Sequence, residues 1–168
     1  MGNPIVKLDD FKGSVLLQKD DNTEANFDLV RDEHADRFIR QVLGAELGNL
    51  FLADINGSGV PVAARFLSIF NPFQYDEGSL VVESPGLKET LKQIIWFYWS
   101  RQNNVSITLA GNFMPRSENA ALSGDNFFLI RLYNAGIDAG RIIQSYIQKN
   151  IDTYPEFNGQ YLEHAVGI

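Results

Sequence analysis

LKETLKQIIWFYWSRQ, residues 87–102, is the stretch on which the fold turns. Its first half is an amphipathic helix, with Leu87, Leu91, Ile94, Ile95 and Tyr98 recurring at the spacing of one helical face. Its second half breaks that pattern, because Ile94, Ile95, Trp96, Phe97, Tyr98 and Trp99 are consecutive and all large and apolar or aromatic. Each helical residue advances the chain by ~100°, so this run passes around the whole circumference. A helix apolar on every side predicts a second covering layer, supplied by the same chain or by another subunit. The run is too short to cross a bilayer, which takes ~20 apolar residues, so no membrane partner is expected.

Toward the C-terminus, Val105-Ser106-Ile107-Thr108-Leu109 alternates as a short strand, closed by Gly111 and Met114-Pro115. Ser117 to Leu122 fits one helical turn or an ordered loop. From Asp125 a helix is predicted to Asn150, ~39 Å long at 1.5 Å per residue. Within it Phe128, Leu132, Ala135, Ala139, Ile142 and Tyr146 repeat at 4-3-4-3-4, the seam of a helix packed lengthwise on another. Ala135, Gly136, Ala139 and Gly140 make the middle of that seam small. Two mid-helix glycines each cost ~1 kcal/mol against alanine, which close approach of a neighbouring backbone would offset. The aromatic helix is the natural neighbour, and the glycine-bearing N-terminal helix also qualifies. Asn134, beside Tyr133, is read as a structural polar residue whose amide bonds a backbone group in 105–122. Residues 152–168, with Pro155 and the aromatics Tyr154, Phe157 and Tyr161, read as a tail laid across a surface.

Toward the N-terminus, Ser84 and Pro85 suit the cap and first turn of the aromatic helix. The connection from Phe73 to Gly86 holds one predicted strand at Leu80-Val81-Val82. Pro61 suits the first turn of a short helix ending at Phe70, stopped by Asn71-Pro72. Asn26 suits the cap of a helix to Phe51, carrying Phe27, Val30, Phe38, Val42, Leu43, Leu47, Leu50 and Phe51 on its buried stripe. Gly44 and Gly48 on this helix would admit a partner helix. Residues 1–25, with Ile5-Val6-Lys7-Leu8 and Val15-Leu16-Leu17 between charged gaps, read as an arm. The fold class is therefore mainly α: a helical bundle with a long C-terminal helix, a short β element and extended terminal arms. The expected divisions are an N-terminal arm over 1–25, a helical core over 26–151 and a C-terminal tail over 152–168.

Chemistry is conspicuous by what the residues exclude. With no cysteine in 168 residues, disulfides, thiolate metal sites and cysteine nucleophiles are ruled out. A net charge of −7 argues against free nucleic-acid binding, which requires Lys and Arg against phosphates. The same charge suits a wall past which DNA slides. The opening residues carry no export-signal pattern, so assembly inside a cell is expected. Asp54, Asn56, Ser58 and Gly59 fall at calcium-loop positions, but Arg65 stands where that loop needs a bidentate Glu. His34 and His164 are far apart and read as lone surface histidines. No metalloprotease, nucleophile-elbow, dinucleotide or phosphate-loop motif is present. Glu118, Asp125 and Asp54 lack a neighbouring base. Neither a catalytic residue, a cofactor nor a metal site is expected.

Ile94-Ile95-Trp96-Phe97-Tyr98-Trp99-Ser100-Arg101, then Thr108-Leu109-Ala110-Gly111, Arg116-Ser117-Glu118-Asn119-Ala120 and Tyr133-Asn134, follow one another in an order that resembles a family. The family is the head–tail connector (adaptor or head-completion) virion proteins of tailed bacteriophages. Leu43-Gly44-Ala45-Glu46-Leu47 and Tyr154-Pro155-Glu156-Phe157 look similar as well, so the resemblance covers about residues 26–160. It implies a helical adaptor that forms a homo-oligomeric ring, commonly a dodecamer, beneath the portal of the DNA-filled head. Such a ring extends the DNA channel and offers a docking surface to the next neck or tail protein; DNA passes without specific binding. Localisation would be the virion, assembled in the host cytoplasm. Trp96, Phe97, Trp99, Phe128, Leu132, Ala139, Ile142 and Tyr146 are the candidate subunit or helix contacts. The alternative is a small helical ligand- or partner-binding module, with an apolar ligand beside Trp96 and Trp99. A hydrolase using Asp or Glu ranks last.

Overall fold

The structure is a computed structural model that describes residues 5–11, 21–103, 106–108, 111–113 and 124–165. It is mainly helical, as expected: α1 spans Asp21–Leu43, α2 Ala45–Asp54, α3 Ala64–Phe70, α4 Gly86–Asn103 and α5 Gly124–Lys149. Two antiparallel hairpins are interleaved, β1 (Phe73–Glu77) with β2 (Leu80–Ser84), and β3 (Ser106–Thr108) with β4 (Gly111–Phe113).

The aromatic stretch lies on α4, and α4 is the middle of the molecule. No residue from Pro85 to Ser100 is exposed. On one side α5 runs antiparallel to it, with Phe97 against Tyr133 (ring centroids 4.7 Å apart) and Ile94 filling the space beside Gly136. On another side α1 places His34 flat on Tyr98, centroids 3.7 Å apart. The remaining arc is covered by the chain's own start: Phe11 meets Trp96 at 5.7 Å and Phe27 at 5.4 Å, and Lys88 reaches Asp10 at 2.9 Å. Ile5, Val6 and Leu8 are buried in the same core. The chain thus supplies the second layer around α4 itself, and the wholly apolar rod needs no neighbouring subunit. Over its described part, the stretch read as an arm folds inward; Val15-Leu16-Leu17 lies outside the described residues.

The long N-terminal helix expected over 26–51 is two helices, and it begins five residues earlier. Gly44 separates them at φ +86°, a conformation that L side chains rarely adopt. A Cβ on Gly44 would lie 2.6 Å from the Asn158 backbone, so the kink leaves room for the C-terminal segment rather than a partner helix. Asn26 lies inside α1 rather than capping it.

The short helix ending at Phe70 starts at Ala64, not Pro61. Pro61 instead bridges to Ile55, and the Asp54 carboxylate accepts the Val62 and Ala63 amides, both at 2.7 Å. That side chain does for the entry to α3 what a cap does for a helix start. The 73–86 connection contains two strands instead of one. Phe73 and Tyr75 lean on Tyr146 of α5 at 4.6 and 5.6 Å, and Gly78 makes the turn at φ +66°. FQYDE carries too few β-branched residues to declare a strand alone; pairing with β2 makes it one.

α5 has the expected extent but buries a different stripe. Leu129, Gly136, Ile137, Gly140, Ile143 and Ile147 face the core, whereas Phe128 is 55% exposed and Ala135 is also exposed. The predicted seam is therefore displaced by one residue, ~100° around the helix. Both stripes show the same spacing, so periodicity cannot separate them. Close approach does explain the glycines: a Cβ on Gly136 would meet Ile94, and one on Gly140 would meet Leu162 at 2.7 Å.

After α5 the chain turns at Asn150–Tyr154 and runs back along the α1–α5 groove. Gln160 donates to the Gln41 carbonyl at 2.8 Å, and the Gln144 amide donates to the Val42 and Gln160 carbonyls. Tyr154 is buried, its hydroxyl donating to the Arg65 carbonyl at 2.7 Å, while Arg65 pairs with Glu156 at 3.1 Å. This segment is extended, as expected, yet Tyr154 and Leu162 enter the core.

Candidate functional site

The candidate contact residues do not form one patch. Trp96 and Trp99 are half-buried and stacked on each other at 5.2 Å; Phe97 is buried, with Arg101 over its ring at 5.5 Å. Leu132, Ile142 and Tyr146 are half-buried and Ala139 is buried, which leaves Phe128 as the one strongly exposed member. Trp96 edges a cleft of about 150 Å³ with Asp10, Phe11, Glu89, Lys92 and Leu132. The charges of that cleft are mutually answered, Lys92 by Glu89 at 2.9 Å and Asp10 by Lys88. Its volume falls below the ~300 Å³ at which sites for drug-sized ligands usually begin.

Asn134 does bond a backbone group, and among the described residues that group belongs to Ala165 rather than to 106–108 or 111–113. Its amide nitrogen donates to the Ala165 carbonyl at 3.2 Å, and its oxygen accepts the Ala165 amide at 2.8 Å. It is the last clasp of the returning C-terminal segment. Val105, Leu109 and Ser117 to Leu122, including Glu118, lie outside the described residues.

His34, expected at the surface, is buried against Tyr98. Burial lowers its pKa; Arg37 lowers it further, and Glu33 opposes both. His164 is exposed and bonds Asp138 at 2.7 Å. The calcium reading of 54–65 fails on geometry as well as sequence. Asp54 is occupied with two amides, Asn56 accepts the Ser58 and Val60 amides, and Arg65 is turned to Glu156. Among the described residues no group of three His, Asp or Glu side chains is placed to hold a metal, and no helix is long and apolar enough to cross a membrane.

What the sequence left unseen is that most exposed apolar residues gather at the two ends of the helical layer; Tyr161 (81%) lies apart, beside Arg141, and Leu50 of α2, expected on a buried stripe, is exposed as well. α1 and α5 run parallel, since His34 shares a pocket with Tyr133 and Val42 accepts from Gln144. The starts of both helices therefore form one end, where Leu29 (70%) and Phe128 are exposed. The other end gathers the finish of α5, the β1–β2 hairpin and the entry to α3, and exposes Val62, Leu80 (68%), Val81 (62%) and Ile151. Lys149 fixes the hairpin there by donating to the Asp76 carbonyl at 3.2 Å and pairing with Glu77 at 3.6 Å. Val81 and Glu83 share the hairpin face opposite Phe73 and Tyr75, which follows from strand alternation and the observed register. No family model, curated protein or solved structure matches the chain.

Proposed function

We propose that the protein is a structural subunit of a tailed-bacteriophage particle, a head–tail connector (adaptor) without catalytic activity. It assembles as a ring between the portal and the next neck or tail protein, and the ring continues the DNA channel. The order of the aromatic, Thr-Leu-Ala-Gly and Tyr-Asn segments resembles that family over residues 26–160. The observation that carries the reading is the pair of apolar ends. A protein that joins two different neighbours needs a separate surface for each. Leu29 and Phe128 at one end and Val62, Leu80, Val81 and Ile151 at the other supply two. Burying an exposed Leu or Val fully is worth ~1.5–3 kcal/mol, so a few such residues at each end are enough to hold a contact repeated around a ring. The net charge of −7 suits a conduit that must not grip DNA.

The test uses the whole chain, its portal and a Leu80→Asp/Val81→Asp variant. Both positions are exposed, so the variant keeps the wild-type melting temperature. Sedimentation and electron microscopy should show wild-type rings, alone or on the portal, and none for the variant. A wild-type chain that stays monomeric with and without portal would refute the proposal, as would a variant that assembles like wild type.

A further inference from the structure

A second, smaller site lies at the junction of α1, α4 and α5. His34, Arg37 and Gln41 are spaced three and four apart on one face of α1. With Phe38, Tyr98 and Tyr133 they line a pocket of about 120 Å³. Nearly all of its polar groups can donate: a guanidinium, an imidazole, a side-chain amide and two phenols. The rings of Tyr98 and Tyr133 meet edge to face, centroids 6.4 Å apart. Arg37 is exposed and close enough to His34 and Tyr133 to lower the pKa of both. Yet among the described residues it forms no ion pair, whereas Arg31, Arg40, Arg65 and Arg141 each have a carboxylate.

We propose that this pocket binds a small monocarboxylate, its two oxygens shared between the Arg37 guanidinium and the donors of His34, Gln41 and the tyrosine pair. Charge selects the ligand. Arg37 is the one fully charged side chain in the pocket lining, and Glu33 and Glu163 stand just outside it, so a single negative charge is accommodated more readily than a phosphate dianion. Size selects it too, since the space suits a short acyl chain against Phe38 rather than a drug-sized molecule. The returning C-terminal segment flanks the pocket, bonding Gln41 through Gln160 and bringing Glu163 close enough to act on Tyr133. That flank favours a free small acid over a docking protein chain. The charged and titratable groups around His34 are Glu33 and Arg37 of α1, Tyr98 of α4, Tyr133 of α5 and Glu163 of the returning segment.

The experiment is an NMR titration of the two histidines in the full chain, with acetate as probe and chloride at matched ionic strength as control. Acetate should perturb His34 saturably and raise its titration midpoint by about one pH unit, the low end of what an opposite charge at 4–6 Å produces. His164 should not move. Arg37→Gln should weaken acetate binding roughly tenfold or more, the loss expected for a hydrogen-bonded charge. The proposal is overturned if chloride acts as acetate does, if Arg37→Gln binds as wild type does, or if inorganic phosphate binds more tightly than acetate.

Discussion

Tyr154 tests whether the residues after α5 belong to the core or merely lie on it. In Tyr154→Phe the ring stays and the hydroxyl goes. The Arg65 carbonyl loses its 2.7 Å donor but keeps Ser68, whose hydroxyl also donates to it at 2.7 Å. No acceptor is stranded, so the expected loss is the ~1 kcal/mol of an ordinary net hydrogen bond. For a chain of this length that lowers the melting temperature by about 2–4 °C. Tyr154→Ala also removes a ring that is 1% exposed and packed edge-on against Tyr146. Truncating a buried aromatic removes ~3–5 kcal/mol, or about 6–20 °C. The ring anchors the turn that starts the return strand, so the Gln160 amide, bonded to Gln41, should exchange faster as well. Urea and thermal unfolding followed by circular dichroism, with amide exchange at Gln160, measure all three quantities. A Tyr154→Ala protein within about 1 kcal/mol of wild type, with Gln160 still protected, would refute core membership for this segment.

The buried stripe of α5 predicts that Ile143→Ala loses ~2–5 kcal/mol, and Ile142→Ala, half-buried, clearly less; equal losses in chemical denaturation would restore the displaced seam. Gly44→Ala should lose at least about 1–3 kcal/mol from its backbone conformation alone, with Asn158 pushed aside; an unchanged unfolding midpoint would show that the kink tolerates a side chain. Because burial depresses the His34 pKa, the unfolded chain binds the extra proton first as pH falls below ~6.5. Stability should therefore be fully present above that pH and be lost as pH drops toward the lower folded value, a slope that His34→Gln removes. Burial raises the Tyr154 pKa, so the converse holds at the alkaline end. There stability is present below ~10 and declines as pH rises toward the folded value, and Tyr154→Phe should flatten that decline.

The chain by itself determined its class and most of its helices. Leu87, Leu91 and Ile94 mark α4, the 4-3 repeats mark α5, and the absence of cysteine removes thiol chemistry from these 168 residues, because these are local properties of spacing and residue type. Of the candidate site, Leu80 and Val81 are legible as strand residues but not as exposed ones, and Phe128 is legible as apolar, its spacing pointing to a seam rather than to the surface. His34, Arg37, Gln41, Tyr98 and Tyr133 carry no signal of belonging together. Only tertiary structure decided which of two equally periodic stripes on α5 turns inward, that Gly44 breaks the first helix, and that Ile5 and Leu162 complete the cover of the core. Each is a contest between surfaces distant in sequence, settled by what packs against them, and periodicity in one segment holds no information about its partner.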